Sequence, residues 1–152
     1  AEVHQVAEQL ISAGVKPWEV TDRVYDTKPL AQIRLLQAAL AHLRVTPDGR
    51  IAWISLPHHV MSSCNDDDTS GLINYPRMVA GTELAILLKE DDCGQVRVGL
   101  RSRELIDVGL LAHNLGGGGH ARAAGCILPG PLALAEEKIL ALAQRALREA
   151  EG

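Results

Sequence analysis

The chain has 152 residues, room for one domain with a short appendage, and carries a formal net charge of −4. It is 47% hydrophobic but only 3% aromatic and has no phenylalanine, so its core must be built from Leu, Ile, Val and Ala. The acidic balance excludes a general basic coat for long nucleic acids, and no apolar run approaches the roughly 18 residues of a membrane helix.

No basic-then-apolar leader is present, and the cytoplasm is the expected location. Beginning at Ala1 rather than Met, the chain is expected to be part of something longer. Cys64, Cys93 and Cys126 are far apart and lack CxxC spacing, so neither a disulfide framework nor a structural zinc site is expected.

Val3, Val6, Ala7 and Leu10 recur at helical spacing, and Gly14 follows as a stop. Pro17 can open a second helix with Val20 and Val24 on one face. Pro29 can open a third with an Ile33, Leu36, Leu40 and Leu43 stripe. Residues 1–43 are thus expected to form a helical connector, packed against a neighbour outside this chain.

From Arg44 the texture changes, and residues 44–152 are expected to form the main domain. Val45, the turn signal Pro47-Asp48-Gly49 and Ile51–Leu56 predict a hairpin, its second strand buried on both faces. Thr69 or Ser70 can cap a helix over about 71–79, which Pro76 would break or kink. Thr82–Leu88 and Val96–Arg103 read as two strands around the Asp91-Asp92-Cys93-Gly94 turn.

In the second of these, Val96, Val98 and Leu100 alternate with Arg97, Gly99, Arg101 and Arg103. Arg101 and Arg103 are therefore expected to project together at its end. Asp107 can cap a helix that puts Val108, Leu111, Ala112 and Leu115 inward. Ala124–Leu128 reads as a final strand. Gly130-Pro131 starts a last helix, with Leu132, Ala135, Ile139, Ala143 and Ala146 on its inner side. The expected class is α/β (α+β): a mixed sheet of about five strands flanked by helices, preceded by the helical connector.

The stretch Gly116-Gly117-Gly118-Gly119-His120, running on to Gly125, stands out. Four consecutive glycines are costly to order, and a compact domain keeps them where backbone approaches something closely or φ is positive. Their N–H groups can cradle an anion, His120 can add a hydrogen bond, and Arg101 and Arg103 can supply planar donors. Between Gln95 and Gly125 four arginines outnumber Glu104 and Asp107, a local +2 on an acidic background. Residues 116–125 are therefore read as a ligand-contacting loop.

Other motifs fail. The run lacks the Lys-Ser/Thr ending of a Walker A loop and is not a GxGxxG strand-to-helix turn. His58-His59 has no carboxylate close by in sequence, Asp66-Asp67-Asp68 lacks the alternate spacing of a calcium loop, and the three cysteines show no base partner.

The stretch GGGGHARAAG resembles the GGGGH-x-x-AAG signature of the DHH-associated domain, the C-terminal lobe of DHH phosphoesterases. Upstream, Val98-Gly99-Leu100-Arg101-Ser102-Arg103 resembles that family's strand ending in Arg-Ser. Asp107-Val108 resembles the start of its helix, and Gly71-Leu72-Ile73-Asn74 an earlier helix from which Pro76 departs. The resemblance spans about residues 28–130 and is nearest the nanoRNase/pAp-phosphatase branch.

It implies an N-terminal lobe holding two manganese ions, while the C-terminal lobe holds the substrate. Carried over, Gly116, Gly117, Gly118, Gly119 and His120 would contact nucleotide, and Arg101, with Ser102 and Arg103, would bind phosphate. No Asp-His-His motif and no set of metal-binding carboxylates occurs, so the chain is expected to hold no catalytic residue and no metal. The implied partners are short RNA or nucleotide and the N-terminal DHH lobe, with homodimer formation open and no membrane. The implied function is hydrolysis of short oligoribonucleotides and 3′-phosphoadenosine 5′-phosphate, this chain supplying binding alone. Rival readings are a lobe of a cyclic-dinucleotide phosphodiesterase or single-strand exonuclease, and a non-catalytic nucleic-acid-binding module.

Overall fold

In the computed structural model, which describes residues 2–61, 69 and 71–152, the chain divides into two units, Ala1–Ile33 and Arg34–Gly152. The first contains α1 (Glu2–Ser12) and α2 (Pro17–Thr21), the latter running into a π-helical turn at Asp22–Asp26. None of its described residues is buried. The division falls inside α3 (Leu30–Ala41), earlier than the expected boundary after residue 43, because Leu35 and Ala39 already belong to the core of the second unit.

That second unit is built on a six-stranded sheet. Its strands are β1 (Leu43–Val45), β2 (Ile51–Leu56), β3 (Leu84–Glu90), β4 (Gln95–Ser102), β5 (Gly118–His120) and β6 (Ala123–Pro129), in spatial order β1-β2-β3-β4-β6-β5. All neighbours are antiparallel except β2 and β3. The crossover between those two includes α4 (His58–Met61) and α5 (Asn74–Met78). All six residues of β2 are buried, as its two-sided apolar sequence requires of an interior strand.

The two faces of the sheet carry separate clusters. On one, Ile51, Trp53, Leu84, Ile86, Leu88, Val96, Val98 and Leu100 pack against α6 (Val108–His113) and α7 (Leu132–Glu151). Helix α7 buries Ala135, Ile139, Ala143 and Leu147, one stripe at helical spacing. Each Ile or Leu so buried contributes about 1.5–3 kcal/mol relative to exposure. Glu136, next to that stripe, also turns toward the sheet: its carboxylate accepts the Ser55 hydroxyl at 2.5 Å and pairs with Arg44 at 3.2 Å.

On the other face Ile54, Leu56 and Leu87 meet Leu35, Ala39, Leu72 and Ile73. Among the described residues of this unit that cover stops at β4, and Ile127 of β6 stands exposed on the same face. The expected helix over 71–79 is shorter, Asn74–Met78, with Pro76 in its first turn, where the missing N–H costs little. Ser70, Cys64 and Asp66-Asp67-Asp68 lie outside the described residues. Thr69 is buried, and its hydroxyl accepts from the Lys89 ammonium at 2.8 Å.

Candidate functional site

The glycine run does not form one loop. Gly116 stops α6 at φ +77°, and the Gly116 and Gly117 amides donate to His113 and Ala112 in a tight helix ending. Gly118-Gly119-His120 then pairs with β6 as an edge strand, where the sequence reading expected a loop. The physical reason is close approach. A Cβ on Gly117 would lie 2.2 Å from the Gly125 carbonyl oxygen, and one on Gly119 would lie 2.4 Å from the Ala124 Cα. Only glycine lets this segment lie so close to β6.

Register then sets the side chains. His120 is opposite Ala123, Ala123 is opposite Arg101, and Arg101 is opposite Ala85, so these four form one row on one face. The strand spacing puts the His120 and Arg101 backbones about 10 Å apart, with only the Ala123 methyl between them. The next row on that face is Gly118, Gly125 and Gly99, a strip without side chains across three strands. Ile73 reaches over one end, its Cδ1 3.2 Å from where a Gly99 Cβ would stand; a Cβ on Gly118 would meet nothing within 4 Å. His120 is exposed and Arg101 half-buried, one guanidinium nitrogen donating to the Leu100 carbonyl at 2.9 Å.

Ser102 and Arg103 are placed differently. Ser102, expected near Arg101, alternates to the opposite, helix-covered face. Its hydroxyl donates to the Ala121 carbonyl at 3.2 Å, tying down the β5–β6 turn. Arg103 lies just past the end of β4. Its Nε donates to the Thr82 carbonyl at 2.8 Å and one terminal nitrogen to the Arg77 carbonyl at 2.9 Å. It anchors a corner of the sheet rather than joining the His120–Arg101 row.

The loop after Arg103 is held by a buried acid. Glu83 accepts from the N–H groups of Glu104 at 3.0 Å, Leu105 at 2.7 Å and Ile106 at 3.2 Å. Asp107 then caps α6, accepting from the Leu110 N–H at 3.0 Å, as its sequence position predicts. Arg122 closes the opposite side by donating to the Ile106 carbonyl at 3.0 Å.

The side-chain donors in the His120–Arg101 row are a guanidinium and an imidazole, with no carboxylate beside them in the row, a set that suits an anion and does not fit a divalent cation. Among the described residues, the group of side chains close enough to share an ion is Asp91, Asp92 and Cys93. It lies on the β3–β4 turn, at the opposite end of β4 from Arg101. Asp92, through a hydrogen bond and its charge, pushes the exposed Cys93 thiol up, and burial pushes Cys126 up. Neither thiol is activated. Glu90, distant in the chain, accepts the His58 backbone N–H at 3.2 Å, and both His58 and His59 are exposed.

Gly99 was missed as a site-forming residue, and Ala123 was read only as part of the loop, not as the spacer between His120 and Arg101. A lone glycine inside β4 was a signal of close approach, but its alignment with Gly125 and Gly118 needs the strand order.

Residues 54–149 match the family model of the DHHA1 domain. The chain belongs to that family. It is 35% identical over 150 residues to the "Bifunctional oligoribonuclease and PAP phosphatase NrnA" of Thermus thermophilus, covering 98% of this chain and 45% of that protein. This DHHA1 chain thus spans less than half the length of that curated relative. A crystal structure of an exopolyphosphatase-related protein from Bacteroides fragilis superposes with a TM-score of 0.80 at 25% identity, covering 97% of this chain and 43% of that one. A pGpG-specific phosphodiesterase, PggH from Vibrio, shares the fold at a TM-score of 0.51 and 18% identity, over 75% of this chain and 38% of its own. No helix among the described residues is long and apolar enough to cross a membrane.

Proposed function

We propose that this chain is the substrate-binding lobe of a phosphoesterase acting on short oligoribonucleotides and 3′-phosphoadenosine 5′-phosphate. The observation that carries this is the row His120–Ala123–Arg101 beside the bare strip of Gly118 and Gly125. An anion seated on the row meets two donors from opposite sides, with no side chain larger than a methyl between them. The strip alongside leaves room for a flat base or ribose to lie against backbone. Membership of the DHHA1 family and the 35% identity to NrnA support nucleotide phosphate as the anion.

Within this lobe the roles are positional. Arg101 gives planar, charge-assisted hydrogen bonds to a phosphate, His120 a second donor, and Gly117 and Gly119 let β5 close against β6 so that His120 faces the row. Cleavage belongs to a further lobe, where manganese would supply the activated water; the donor set of the row does not fit that ion. Apolar side chains left exposed in the first unit, Val3, Val6 and Trp18 among them, are surface that such a lobe would cover.

Calorimetric titration with adenosine 5′-monophosphate, 3′-phosphoadenosine 5′-phosphate and a diribonucleotide tests the reading. Binding by the 152-residue chain is expected, and His120→Ala should weaken it about tenfold, the loss of one charge-assisted hydrogen bond. Manganese added to the isolated chain with a diribonucleotide should give no turnover. Failure of all three ligands to bind, or sustained hydrolysis by this chain alone, would sink the proposal.

A further inference from the structure

A second cationic corner lies one step along the sheet from the row. A cleft of about 340 Å³ is lined by Asn74, Arg77, Met78 and Arg103, with no acidic residue among the described residues of its wall. Arg103 follows Arg101 by two positions, so their backbones are about 7 Å apart. The Arg103 N–H donates to the Glu83 carbonyl at 3.0 Å, extending the strand pairing past Ser102 and turning Arg103 toward the side that Arg101 faces. Its guanidinium is fixed by two carbonyls, those of Thr82 and Arg77, which leave its other terminal nitrogen without an acceptor among the described residues.

Arg77 is exposed, and its guanidinium makes no hydrogen bond or ion pair with any described residue. Asn74, one turn earlier on α5, adds an amide. Two guanidinium groups in one cleft repel unless an anion lies between them. One is locked and the other uncommitted, an arrangement suited to a phosphate rather than to internal stability.

We infer that Arg77 and Arg103, with Asn74, form a second anion subsite that takes the other phosphate of a doubly phosphorylated nucleotide whose first phosphate sits on the His120–Arg101 row. The inference rests on the nucleotide-binding reading above and adds what that reading lacks, a reason to prefer two phosphates over one. Arg77 is the informative position, because its side chain holds nothing in the fold. Replacing Arg103 would release the Thr82 and Arg77 carbonyls as well.

The experiment compares 3′-phosphoadenosine 5′-phosphate with adenosine 5′-monophosphate by calorimetry on the 152-residue chain, for the wild type, Arg77→Gln and Arg148→Gln. The last removes an exposed charge on α7, away from the cleft. Wild type and Arg148→Gln should bind the bisphosphate about tenfold more tightly, and in Arg77→Gln the ratio should fall to about one. A ratio of one in wild type, its survival in Arg77→Gln or its loss in Arg148→Gln would overturn the second subsite while leaving the first intact. Absence of binding by either nucleotide to wild type would overturn the underlying nucleotide reading instead.

Discussion

Two neighbouring glycines in the same run do different work, and alanine separates them. At Gly117 a methyl would sit 2.2 Å from the Gly125 oxygen and 2.5 Å from the Cys126 Cβ, atoms that cannot move without parting β5 from β6. Gly117→Ala is expected to cost about 3 kcal/mol, at the severe end for overpacking. At Gly118 the same methyl meets nothing within 4 Å and stands on the bare strip beside the His120 row. Gly118→Ala should therefore leave stability within about 0.5 kcal/mol of wild type, as an unobstructed surface change does, while weakening nucleotide binding severalfold. Urea denaturation and calorimetry on both variants check this: equal stability losses would mean that the strip is not open, and full binding by Gly118→Ala that it is not used. From sequence the run could be read as a place of close approach. That its members divide between helix stop, strand contact and open floor depends on β6, whose register no local pattern specifies.

At the scale of elements, the segment between β4 and α6 turns on Glu83. Three successive N–H groups converge on one buried carboxylate, so the chain leaving Arg101 is aimed by a residue outside the row. Glu83→Ala would strand those donors, one of them on the buried Ile106, at a cost of about 1–3 kcal/mol. Glu83→Gln keeps an accepting oxygen and should recover most of the loss; equal melting of the Ala and Gln variants would show that the hydrogen bonds are not what holds the loop. The elements themselves were largely legible. Alternation along β4 put Val96, Val98 and Leu100 inward, Asp107 capped α6, and the period of α7 marked Ala135, Ile139 and Ala143. What local rules could not supply were contacts from far away in the chain. The pairing of Arg101 with Ala123 and the clasp of Arg103 on Thr82 and Arg77 gave different partners to two arginines that alternation had rightly put on one side. Ser102 is the converse case, legible from local alternation alone. Its neighbour faces the open side, and a period of two sends it to the other.

At the scale of the whole molecule the two units differ in what stabilises them. The described residues of 34–152 bury an apolar cluster on each face of the sheet, whereas residues 2–33 contribute no buried side chain, with Val3 79% and Trp18 66% exposed. The helical period of Val3, Val6 and Leu10 was visible in the sequence and does mark α1, but the period says nothing of what, if anything, covers that face. Helices this short draw most of their stability from tertiary burial, so α1 and α2 should open at little free-energy cost while the sheet stays folded. A chain beginning at Lys28, which keeps Pro29 and all of α3, is therefore expected to melt within about 3 °C of the 152-residue chain, equivalent to under about 1 kcal/mol. It should also bind less of a dye that reports exposed apolar surface, because the side chains removed are those standing in water. Amide hydrogen exchange on the longer chain should show residues 2–27 exchanging fast and β2, β3 and β4 slowly. A fall of ten degrees or more on truncation, or slow exchange in α1, would show that the first unit contributes to the stability of the second.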